Sequence, residues 1–89
     1  MSTQSQITQT QVLDAISRAA LMLERQDAAQ SGLQLLLNEF RRSLLQTSGH
    51  ATTVLYHGKI KSYLLQHPSN YPDSVAALSS LLDHFVAAQ

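Results

Sequence analysis

The chain contains no cysteine and no tryptophan, only two prolines and three glycines, and its charged residues make up just 13% of the sequence. Each scarcity excludes something. Without cysteine there are no disulfides and no thiolate metal sites. Six basic and six acidic side chains cancel to zero formal charge, which leaves no general electrostatic pull toward nucleic acid or anionic membranes. Solubility rests instead on Gln, Ser, Thr, Asn and His, and low net charge favours self-association near neutral pH. No apolar run approaches the length needed to cross a bilayer. The opening MSTQSQITQTQ has neither the basic nor the apolar region of a secretory signal. These features point to a cytoplasmic protein without a membrane partner.

Eighty-nine residues suit one domain, and a domain this small is often helped by disulfides, metal or oligomerisation. Oligomerisation is the aid this composition leaves open. The expected organisation is a flexible polar N-terminus over residues 1–7 and a single helical domain over residues 8–89.

What the chain does have is helical periodicity. Leu33, Leu37, Phe40 and Leu44 recur at helical spacing and Leu36 widens their stripe. Leu35 and Leu45 fall well outside it. Before this segment, Thr8 and Gln11 match a capping box, with Ile7 placed for a hydrophobic staple. Val12, Leu13, Ile16, Ala19, Ala20 and Leu23 then form a core face. Asp14 and Arg18 stand four apart on the polar side, suited to a solvated ion pair, and Leu21 shares their sector.

Ser31 with Gln34 gives a second capping-box match and Gly32 lowers helix propensity beside it. Ala28 and Ala29 allow one continuous helix instead, and two helices are the preferred reading. Ser48-Gly49 offers a left-handed glycine to end the second helix, and Thr52 or Thr53 can cap a third. Pro68 stops that helix. The loop to Ser74 carries both prolines, with Pro72 and Asp73 placed to open a fourth helix. Val75, Leu78, Leu82 and Phe85 make its stripe, with Ser79, Ser80, Asp83 and His84 facing out. The expectation is an all-α, small four-helix bundle with helices over about residues 8–27, 32–48, 52–67 and 73–87.

The third helix is apolar on two sides. Ala51, Leu55, Gly58, Ser62 and Leu65 form a seam of small and aliphatic groups, with Gly58 read as letting a neighbouring backbone approach. Tyr56, Ile60, Tyr63 and Leu64 form the other face. Both faces are expected to be buried. One bundle of four helices needs about one stripe per helix, so helices two and three carry a surplus. Leu21, Leu35, Leu45, Tyr56, Ile60 and Tyr63 are therefore the candidate protein-interaction residues, with a homodimer or another protein as partner.

Catalytic and metal readings are weaker. His50, His57, His67 and His84 lack the HExxH arrangement, and no two share the three- or four-residue spacing that puts ligands on one helical face. Ser79, Ser80, Asp83 and His84 lie on a convex helix that encloses no pocket, and no nucleophile elbow or phosphate-cradling glycine loop occurs. The expectation is a non-enzymatic, regulatory or adaptor module without metal or cofactor. A helix-turn-helix DNA binder is the alternative: Leu45, Gly49 and Leu55 have its spacing, and Thr52, Thr53, Tyr56, Lys59 and Lys61 would face the groove. Gly58 inside the reading helix and the zero net charge argue against it. In its Leu, Ala, Gln and Ser content the chain resembles small helical secretion-system subunits and their chaperones, which implies a structural or chaperone role as a third reading.

Overall fold

A computed structural model of the chain describes residues 8–47 and 49–87. Among these residues it has four helices and no strand: α1 Gln9–Met22, α2 Ala28–Gln46, α3 His50–Gln66 and α4 Asp73–Ala87. The expected all-α four-helix bundle is the observed architecture.

The first helix begins as its sequence dictates. Thr8 accepts from the Gln11 amide through its hydroxyl at 3.2 Å, while its own amide donates to the Gln11 side chain at 2.8 Å. This reciprocal pair satisfies two of the free donors of the first turn. Ile7, the other half of the expected staple, lies outside the described residues. The Asp14–Arg18 pair forms at 3.1 Å on the exposed face.

The helix stops at Met22, short of the expected residue 27, and residues 23–27 separate it from α2. The two helices are therefore not continuous. The cause is a better cap than the one Ser31 offers. The carboxylate of Asp27 accepts from the Ala29 and Gln30 amides at 2.9 and 3.1 Å, and a charged acceptor at this position outcompetes an alcohol three residues inside the helix. Gln34, freed from that box, reaches across to the Ala20 carbonyl at 2.8 Å, an acceptor of the last turn of α1.

A second correction concerns Gly49. Its φ is 174°, extended rather than left-handed, and it serves as the N-cap of α3. The helix starts at His50, so Thr52 and Thr53 lie within it instead of capping it, and Thr53 is buried with its hydroxyl directed back to the Gly49 carbonyl. Ser48 lies outside the described residues. Helix α4 opens where expected, with Asp73 in its first turn and the Val75 amide bonded to the Pro72 carbonyl at 3.0 Å.

Each helix packs on its chain neighbours, and α4 closes the ring against α1. Neighbours run antiparallel. Gln9, at the start of α1, donates to the Leu44 carbonyl near the end of α2. Tyr63, late in α3, donates to the Ala29 carbonyl at the start of α2, and His50 packs on Phe85 at the far end of α4. The core draws on every helix: Val12, Ile16 and Ala19 from α1; Leu33, Leu37, Phe40 and Leu44 from α2; Tyr56 and Ile60 from α3; Val75, Leu78 and Leu82 from α4. Phe40 and Tyr56 stack at 4.9 Å with rings nearly parallel.

Candidate interaction surface

Helix α3 decides where the surplus apolar surface lies. Tyr56 and Ile60 are only 5% and 1% exposed, and Thr53 is buried with them. The Tyr56 hydroxyl donates to Glu39 at 3.0 Å and lies 3.2 Å from the Ser43 hydroxyl, so the ring stays inside while its polar end reaches a wet edge of α2. Tyr63 is half-buried, its hydroxyl donating to Ala29 at 2.7 Å and its ring stacked on His67. These residues hold the bundle together. Assigning Tyr56 and Ile60 to an external interface is therefore corrected, because both are spent on the intramolecular core.

The opposite seam has the reverse fate. Ala51, Leu55, Gly58, Ser62 and Leu65, expected to be buried, all face solvent, with Leu55 at 55% and Leu65 at 83% exposure. A Cβ added to Gly58 would meet nothing within 4 Å, so no neighbouring helix of this chain makes the close approach that the glycine was read as allowing. Beside the seam, Leu36, Leu55, Gly58, Lys59, Ser62, Tyr63 and Gln66 line an open groove along α2 and α3.

The three leucines outside the stripes are exposed, Leu35 at 70%, but they do not form one patch. At about 100° per residue, Leu35 points almost directly away from the core stripe of α2. Leu21 lies on the other side of α2, in a shallow depression with Gln34, Asn38 and Arg41. Leu45, four residues after Arg41, belongs to that side too. Leu35 thus lies on the outer face of α2, while Leu21 and Leu45 lie toward the α1 side. Leu55 and Leu65 share the helical period of the buried Tyr56 and Ile60 face, so their spacing alone does not reveal that they lie in solvent.

The polar clusters are structural ties. Asp83 on α4 meets the His57 ring at 2.6 Å and the Lys61 ammonium at 3.1 Å, both from α3. The His57 bond, followed by that of Lys61, holds the Asp83 carboxyl below its ordinary value. The Asp83 carboxylate is thereby turned to α3 rather than to Ser79, Ser80 or His84 of its own helix. At the loop end, the buried Gln30 side chain accepts from the Glu24 amide at 2.9 Å and donates to Ser69 and the Asn70 carbonyl. Ser69 in turn donates to Asp27 at 2.9 Å, and that bond is the main reason the Asp27 carboxyl also lies low. Both inter-helix loops of that end are fastened together by these contacts.

Among the described residues no three His, Asp or Glu side chains converge in a way that would hold a metal, and no helix is long and apolar enough to cross a membrane. The groove-facing set of the helix-turn-helix reading is divided: Thr53 and Tyr56 are buried, Lys61 is paired with Asp83, and Lys59 lies over the Tyr56 ring at 4.9 Å. Comparison with known proteins finds no matching family model, no matching curated protein and no matching solved structure.

Proposed function

We propose that the chain is a small non-enzymatic helical interaction module that self-associates through the outer faces of α2 and α3, acting in the cytoplasm as a regulatory or adaptor protein. One observation carries the reading. The core is complete, yet Leu35, Leu55 and Leu65 remain in solvent on the outer faces of α2 and α3, with Leu55 lining the open groove between these helices, and large apolar side chains rimmed by polar ones mark contact sites. A two-fold partner would cover such a face isologously, so each substitution acts twice per dimer.

Sedimentation equilibrium at micromolar concentration tests this. The parent should sediment as a dimer, and the Leu35→Glu/Leu55→Glu variant as a folded monomer with undiminished helical circular dichroism. A parent that stays monomeric at every accessible concentration would overturn the reading.

A further inference from the structure

Self-association leaves open how two copies meet, and the exposed seam of α3 is self-complementary in size. Read forward it runs Ala51, Leu55, Gly58, Ser62, Leu65; read backward, large and small exchange places about Gly58. Two such seams laid antiparallel with the glycines together put Leu55 of each copy against Ser62 of the other, and Leu65 against Ala51. Every large side chain then meets a small one. Resting on the dimer reading above, we infer that two copies pair through antiparallel α3 helices crossing at Gly58.

Two further observations support this occupant. A glycine within a helix costs roughly 1 kcal/mol against alanine, and at Gly58 nothing in the chain itself uses the missing side chain. A second backbone crossing there would use it. The area also fits. Helix α3 has 17 residues, about 25 Å at 1.5 Å per residue. A strip about 10 Å wide along it offers only roughly 250 Å² per copy, far below the ~800 Å² of a standard interface. Adding the neighbouring groove lined by Leu36, Tyr63 and Gln66 roughly doubles that, to about 1,000 Å² in total, the threshold for a specific contact. The contact is therefore a small one, with α3 at its centre and α2 at its edge.

The charges at this crossing are few. Helix α3 carries no acidic residue, and its Lys61 is already held by Asp83. The antiparallel arrangement brings the two Lys59 ammonium groups to one edge of the crossing, where the exposed Glu39 of α2 supplies opposite charge.

Because the chain has no native cysteine, single cysteines report the geometry cleanly. A disulfide needs Cα atoms about 4.4–6.8 Å apart. Under mild oxidation Gly58→Cys should give a linked dimer by itself. Leu55→Cys and Ser62→Cys should link on mixing far more than either does alone, and Leu21→Cys should stay unlinked. A parent that is dimeric by sedimentation while Gly58→Cys fails to link and Leu35→Cys links would overturn the α3 crossing and leave self-association standing. A parent monomeric throughout would remove both.

Discussion

The Tyr63 hydroxyl occupies the space into which a side chain on Gly32 would grow, and from there it donates to the Ala29 carbonyl. A glycine inside α2 is thereby tied to a tyrosine on α3. Replacing a helix-interior glycine by alanine ordinarily gains roughly 1 kcal/mol, but here the new methyl must displace a hydrogen-bonded ring. Gly32→Ala should give none of that gain in the parent and most of it in a Tyr63→Ala background. Urea unfolding of the four proteins of this cycle measures the coupling. An equal gain in both backgrounds would show that the two residues do not compete for space.

The two faces of α3 should differ sharply in stability measurements. Ile60→Ala removes a core side chain and should cost about 2–5 kcal/mol, whereas Leu55→Ala and Leu35→Ala should stay within about 0.5 kcal/mol at concentrations where the chain is monomeric. Chemical denaturation reads this directly. A large loss at Leu55 would return the seam to the intramolecular core.

Gln30 is the buried polar residue on which the loop end depends. In Gln30→Leu the Glu24 amide and the Asn70 carbonyl lose their partner, and stranded backbone groups cost about 1–3 kcal/mol each when they stay buried. Hydrogen exchange should show the Glu24 amide losing protection ahead of the core amides of α2. Unchanged exchange at Glu24 would mean that this bond does not hold the turn.

Acid should loosen the bundle through Asp27 and Asp83. Both carboxyls lie below their ordinary value in the folded chain, Asp27 chiefly through Ser69 and Asp83 chiefly through His57. A depressed carboxyl contributes stability that is fully present above its unfolded pKa of about 3.9 and is lost as pH falls through the folded value. Stability should therefore decline below about pH 4. The Asp27→Asn/Asp83→Asn variant should be less stable than the parent at pH 6 and show a shallower decline. A decline as steep as the parent's would place the acid response elsewhere.

Much of this fold is legible in the sequence, because α1, α2 and α4 each carry one dominant apolar stripe. The stripes of α1, α2 and α4 supply the core residues read from them, and the Thr8–Gln11 box starts α1 as its spacing requires. The misreadings occur where two local signals compete. Asp27 and Ser31 both offer N-caps four residues apart, and only the contacts of Asp27 with Ser69 and the two amides decide between them. In α3 the large residues on both sides satisfy the same period, so periodicity alone does not choose the buried one. Tyr56 goes inside because Phe40 stacks on it and Glu39 takes its hydroxyl. Gly58 argued for burial in the sequence and lies in the open. The His57–Asp83 tie joins residues 26 positions apart and has no local signature at all.

The ring of helices also has a kinetic meaning. Three of its four seams join helices adjacent in the chain, and each closes over a short turn. The α1–α4 seam alone brings together segments separated by most of the sequence, so loop-closure entropy falls mainly on that one contact. Contacts local in sequence form fastest, so the α1–α4 docking is expected to be the slow step. Substitutions at Ala15 and Ala77, which line one cleft between α1 and α4 with Leu81, would then change the rate at which the ring opens more than the rate at which its hairpins form.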